Sequence, residues 1–389
     1  MVGIMAAKAY SNNSKTSLIE YVKEALKQDE ERKEQLCIDL FIPSSLRLTE
    51  TERNRAILLL ERLVMATENE IRLRLTPLIE DFAPISLILL LNDPTNQLSL
   101  NCIFKSALLR DQHFAAVLIR RISESRLRNE FISHKKSDSS EKDIVDDLIS
   151  QTTPDIALSA MALLIAESRR LDHLEDPVFA RTDLPAELQY RLLWWVAACL
   201  RSTLLDYRIS ENKADEVLAL AVNQALSCYD EGDTLDSRAI KLARSLWDYR
   251  RLTDGFIVKA AFDGHIALMV AALAVRAGIN QSCAWDMVLD GDGSPLLLLL
   301  RAIGMARHEA ITLALQLTNH NLNDYQLTNR IDAFDTLTQP EADKALTLWR
   351  LDEYYRCAIS DIGHSVSNMR KKNMDKCEET EFFEQDYLS

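Results

Sequence analysis

The sequence predicts an all-α protein, with an α-solenoid in the N-terminal part followed by a C-terminal helical domain. Three observations carry this. No glycine occurs between residues 4 and 231, although the chain holds nine. Tight strand turns, phosphate-cradling loops and dinucleotide fingerprints all need glycine, so hairpins and doubly wound sheets are excluded from that stretch. The same stretch is rich in Leu, Ala, Glu, Arg and Ile at helical spacing. Finally, "NEIRLRL" (69–75) is echoed by "NQLSLNC" (96–102) and "PDIALSA" (154–160), at offsets that suggest helical pairs stacked every 27–30 residues.

Residues 1–48 are expected to form an N-terminal helical segment, and helical repeats follow over 49–175. Thr49 with Glu52 and Thr67 with Glu70 both fit the capping-box pattern. Each precedes an amphipathic run: Ile57, Leu60 and Val64 in the first, Ile71, Leu75 and Ile79 in the second. Pro77, Pro84 and Pro94 then mark turns or first helical turns, so the helices should be short, about 10–18 residues, with brief joints. "SHKKSDSSEKD" (133–143) reads as an exposed loop. The acidic, aperiodic "LDHLEDPVFARTD" (171–183) reads as a domain boundary. Beyond it a C-terminal all-α domain spans 183–336. Seven short helices are read in "ADEVLALAVNQALSCYDEGD", "SRAIKLARSLWDYRRL", "DGFIVKAAF", "DGHIALMVAALAVRAGI", "CAWDMVLDGDG", "SPLLLLLRAIGMA" and "RHEAITLALQL". Gly232, Gly255, Gly264, Gly278 and Gly304 fall at or near helix ends, where a left-handed cap suits glycine. A terminal helix (337–375) and an acidic tail (376–389) complete the chain.

The most apolar stretch is "LPAELQYRLLWWVAACLRSTLL" (184–205), with nine apolar residues in a row from Leu192 to Leu200. Helical neighbours point about 100° apart, so Trp194 and Trp195 cannot share a face. Leu188, Leu192 and Trp195 form one stripe, and Trp194 lies on another. All four are read as structural core, with one indole toward each neighbouring layer.

The segments "DLPAELQYRLLWWVAACLRSTL" (183–204) and "LARSLWDYRRLTDGFIVKAAFDGHIALMVAALAVRAGINQSCAWDMVLDGDGSPLLLLLRAIGM" (242–305), with "LLNDPTNQLSLNCIFKSALL" (90–109) fitting less closely, resemble a group of bacterial helical-repeat proteins catalogued as a domain of unknown function. The resemblance covers about residues 50–320. It implies a bacterial, all-helical, HEAT-like architecture and supplies no catalytic residues.

Composition limits function. Hydrophobic residues make up 47% and charged residues 27%, which suits a soluble globular chain. A net charge of −14 makes bare nucleic acid an unfavourable partner, because such binding requires Lys and Arg to displace counterions. The seven cysteines, Cys37, Cys102, Cys199, Cys228, Cys283, Cys357 and Cys377, form no C-x-x-C pair, as expected of free thiols in a cytoplasmic protein. No apolar run reaches the roughly 20 residues that span a bilayer.

No motif selects a catalytic residue, a metal or a cofactor. In "DMVLDGDGSP", Asp286, Asp290 and Asp292 start like a calcium loop, but Arg301 stands where the bidentate glutamate belongs. "RHEAIT" starts like a zinc-protease helix, but its second histidine is replaced by Thr312.

Residues 101–136 carry a local excess of five positive charges, from Lys105, Arg110, Arg120, Arg121, Arg126 and Arg128 together with Lys135 and Lys136. This segment is either a solvated face or a surface for an acidic partner. Phe382, Phe383 and Tyr387 in the acidic tail could dock on such a groove. The sequence thus favours a non-enzymatic protein–protein interaction scaffold or regulator. A small-molecule sensor or helical enzyme, with a pocket near Trp247, Trp285 and the Asp286–Asp292 turn, is the runner-up. Nucleic-acid binding through 101–136 is the weakest reading.

Overall fold

The computed structural model describes residues 50–104, 106, 111–134, 142–150, 153–170, 183–290, 293–318, 324–352, 354–356, 358–359 and 362. Among them every regular element is helical and no strand occurs. Chain order gives α1 (Glu50–Ile79), α2 (Ile85–Asn92), α3 (Leu100–Phe104), α4 (Gln112–His134), α5 (Ile144–Ile149) and α6 (Pro154–Ser168). There follow α7 (Ala186–Asp206), α8 (Glu211–Ser227), α9 (Leu235–Asp248), α10 (Asp254–Phe262), α11 (Ile266–Ala277) and α12 (Gln281–Leu289). The last are α13 (Ser294–Ala302), α14 (Arg307–Thr318), α15 (Asp324–Thr336) and α16 (Gln339–Ala345). The seven segments from 211 to 318 are helices, as their periodicity predicts. The expected terminal helix over 337–375 is broken: α16 passes into a 3₁₀ turn, Leu346–Arg350. Much of its remainder, like residues 1–49 and the acidic tail, lies outside the described residues.

Two apolar cores hold these helices. The smaller gathers α1, α2, α3, α7 and α8 with Phe114, Leu118 and Ile122 from the first half of α4. The larger gathers α5, α6 and the helices from α9 onward, with Leu127 and Phe131 from the second half of α4. The cores interleave along the chain. α5 and α6 precede residue 183 yet pack with α10 and α9, whereas α7 and α8 follow it and pack back on α1. The aperiodic 171–183 stretch therefore falls where the chain passes from one core to the other.

α11 sits at the centre of the larger core. Ten of its twelve residues are buried, as expected of a helix that is apolar all round. No single helix among the described residues is long and apolar enough to cross a membrane. α11 and α12, apolar enough as a pair, meet at 114° inside this core.

The structure corrects several expectations. Thr67 does not start a helix: α1 runs unbroken for 30 residues. The Thr67 hydroxyl donates back to the Leu63 carbonyl at 2.9 Å. Ala56, Leu60, Val64, Ile71, Leu75 and Ile79 are all buried in one core, so continuous packing outweighs the local cap signal. Pro77 falls in the last turn, where it removes the bond its N–H would have donated to the Leu73 carbonyl, and the helix ends two residues later. The three echoing segments sit in different places: mid-helix in α1, a turn leading into α3, and the first turns of α6. Trp194 and Trp195 are both partly buried against the smaller core, within which Leu188, Leu192, Leu193, Val196 and Leu200 are buried. The Trp194 ring meets Tyr190 edge-on, with centroids 6.2 Å apart.

Gly264, Gly278 and Gly304 do close helices with positive φ, but Gly232 and Gly255 lie near helix starts without it. Gly264 is the most constrained. At φ +87°, an added Cβ would come within 2.9 Å of Ile132 Cδ1 and 3.3 Å of Arg128 Cγ on α4. Gly264→Ala should therefore lower the unfolding free energy by about 1–3 kcal/mol. Gly255→Ala, with open space around the site, should raise it by about 0.4–1 kcal/mol. Urea midpoints of the two variants should move in opposite directions.

Candidate functional site: a charged cleft between the two cores

α4 passes from one core to the other between Ile122 and Leu127. Around this crossover it carries Arg120, Arg121 and Glu124, which line a cleft of about 160 Å³ with Arg170, Asp183, Glu231, Thr234, Asp236 and Trp285. The surrounding elements converge there because both cores end there. Arg170 follows α6, Asp183 precedes α7, and Thr234 caps α9 by accepting from Ser237 N at 3.1 Å.

The guanidiniums are bound to protein carboxylates. Arg170 donates from Nη1 to Glu124 Oε2 at 2.6 Å and from Nε to Asp183 Oδ2 at 3.0 Å. Arg121, 4% exposed, donates to the same Glu124 oxygen at 3.1 Å and to the Arg170 carbonyl. Burial opposes ionisation of Glu124, but Arg170 and Arg121 together hold its carboxyl below the usual range. The guanidinium of Arg120 reaches Ser282 Oγ at 2.6 Å and Asp286 Oδ1 at 3.0 Å on α12.

This answers part of the expectation for residues 101–136. Arg120 and Arg121 are half-buried and buried members of an ion network, and so do not stand on an open basic face. Their charge was legible, but their partners, 49 or more residues away for the most part, were not. Arg126 lies 3.7 Å from Glu130 one turn along α4, and the Arg128 stem lies over Gly264. Lys105, Arg110, Phe382, Phe383 and Tyr387 lie outside the described residues, as does Asp292. Asp286 holds Arg120, Trp285 lines the cleft, and Trp247 is half exposed elsewhere on α9. Among the described residues no His, Cys, Asp or Glu group has a metal-holding arrangement.

A second polar cluster lies at the start of α11. His265 places Nδ1 2.7 Å from Glu167 Oε2 and Nε2 3.0 Å from Asp143 Oδ1. Asp143 also caps α5 by accepting from Val145 N at 2.8 Å. Burial disfavours the imidazolium, but the hydrogen bonds to Asp143 and Glu167 outweigh it and raise the pKa to about 10. Burial likewise works against the Asp143 carboxylate, but the His265 bond lowers its pKa to about 2. An imidazolium with both nitrogens occupied is unsuited to general-base work at neutral pH. It ties α5 and α6 to α11.

The molecule is thus an all-helical protein with two cores and a charged cleft between them. Residues 133–347 match the family described as an uncharacterised protein conserved in bacteria (DUF2336), and the chain belongs to that family. The match takes in the segments 183–204 and 242–305 but not 90–109, so it begins later than the expected 50–320. No curated protein and no solved structure matches the chain.

The His265 cluster fixes a pH dependence. Its folded pKa is raised, so the stabilisation is full below the unfolded value near 6.5 and is lost as pH rises through about 10. Asp143 is depressed, so its share is full above 3.8 and is lost as pH falls through about 2. His265→Leu should cost about 3–5 kcal/mol between pH 4 and 6.5, because two carboxylates lose their buried partner. The gap from wild type in urea unfolding should narrow steadily from pH 7 to 10.

Proposed function

We propose that this protein is a non-enzymatic interaction scaffold or regulator, its helices stacked in a HEAT-like manner, that receives an amphipathic helix of a partner protein on α6. One observation carries the reading. Leu158, Met161, Leu164 and Ile165 are 66%, 47%, 38% and 48% exposed, on a helix whose Ile156, Ala160 and Leu163 are fully buried. No charged residue interrupts the row between Asp155 and Glu167. Contiguous exposed apolar rows of this kind mark interaction sites. Spacing at i, i+3 and i+7 suits the ridges of a second helix.

The partner's chemistry follows from the setting. The row begins beside the exposed Asp155, and the chain as a whole is strongly acidic. An apolar stripe with basic flanks is the complement. Cys102 and Cys199 are free thiols, which supports a cytoplasmic setting. The paired state of Arg120 and Arg121 gives little support to an acidic partner, or to nucleic acid, on residues 101–136.

The test is capture from cell extract with the full chain, in parallel with Leu158→Glu/Ile165→Glu. Both positions are exposed, so the melting temperature should stay within about 2 °C of wild type. The expected result is a stoichiometric protein whose binding maps to an amphipathic helix and falls at least tenfold in the variant. Equal recovery by both chains would remove α6 from the account.

A further inference from the structure

Among the described residues the cleft's charges do not cancel. Arg121 and Arg170 are held by Glu124 and Asp183, and Arg120 by Asp286. Two more carboxylates line the wall, Asp236 and Glu231, and neither forms an ion pair with a described residue. Asp236 accepts from the Gln281 amide at 3.1 Å, and Glu231 from the backbone N–H of Ala186 at 3.4 Å. Burial raises the Asp236 pKa. Arg170 and Arg120 pull the other way, but the nearby Glu124 and Asp183 carboxylates add to the rise. The wall also includes the indole of Trp285, 2% exposed.

Carboxylates that form no salt bridge with a described residue, in a wall shared with Trp285, recognise one chemistry. A cation relieves the carboxylate repulsion and is attracted by the ring quadrupole. An anion would meet guanidiniums already bound to carboxylates and two further acidic groups. The volume sets the size. About 160 Å³ holds roughly five waters at about 30 Å³ each, which is room for one small head group. We propose that the cleft is a binding site for a small organic cation, an alkylammonium or alkylguanidinium, held between Asp236, Glu231 and Trp285. This site is independent of the α6 row and gives the protein a ligand to sense.

The test is calorimetric titration of the full chain with butylguanidinium and butylammonium, with butylurea as the neutral control and butyrate as the anionic one. One cation should bind with 1:1 stoichiometry and raise the melting temperature with concentration, and neither control should. Burial raises the Asp236 pKa and a bound cation lowers it, so binding should tighten as pH rises through the titration of Asp236. Asp236→Asn should weaken binding at least tenfold. Glu231→Gln, at an exposed position, should weaken it less, and Arg126→Gln, outside the cleft, should leave it unchanged. Absence of binding by both cations at millimolar concentration, undiminished binding to Asp236→Asn, or preferential binding of butyrate would each overturn the assignment. The pH profile of the wild-type chain decides the matter even if Asp236→Asn folds poorly.

Discussion

The structure depends on how α4 carries charge through a buried crossover. One helix serves two cores, contributing Phe114, Leu118 and Ile122 to one and Leu127 and Phe131 to the other. Arg121 and Glu124 flank Ile122 at the crossover, both nearly inaccessible. Isolated, either charge would be costly to bury. The fold satisfies them with Arg170 and Asp183, brought in from the end of α6 and the approach to α7. Removing one member of such a network typically costs about 3–5 kcal/mol, since its partners stay buried without compensation. The network therefore matters more for fixing how the cores meet than for net stability.

The two surfaces of interest follow from this constraint. Arg170, bound to Glu124, anchors the chain just beyond the C-terminal end of α6. His265 grips Glu167 one turn earlier. The apolar row on α6 is thus displayed by a helix fixed at that end, which limits the entropy lost on docking. The cleft lies beside the same ion network, with Val117 on the side of the smaller core and Trp285 of the larger core in its wall. Its bound guanidiniums also leave the remaining acids, Asp236 and Glu231, as the groups facing the space.

Much of the fold could be read from the sequence because helical signals are local. The glycine gap, the 3.6-residue spacing and the glycine caps at 264, 278 and 304 all act within a few residues. Tertiary packing overrode local signals where a long buried stripe existed, as in α1, where Thr67 turns its hydroxyl back onto the helix. Core membership was not legible, because α7 and α8 return to α1 across more than a hundred residues. The site was half visible. Trp285 and Asp286 stood out in their turn, and the arginines of α4 stood out by charge. Asp236 gave no signal, since an aspartate in a first helical turn is ordinary and its meaning comes from Gln281, Glu124 and Asp183. One sequence clue was available: Arg170 and Asp183 bracket the aperiodic stretch, where two charges flank a passage between cores.

The central claim is that α4 and its ion network make the two cores one cooperative unit. Native-state hydrogen exchange across α4 tests it most directly. The account predicts that backbone amides from Phe114 to Phe131 exchange as one slow group, at the rate of those in α7 and α11. If amides up to Ile122 open separately with the smaller core, while those from Leu127 stay protected with α11, the cores are independent and the claim is wrong.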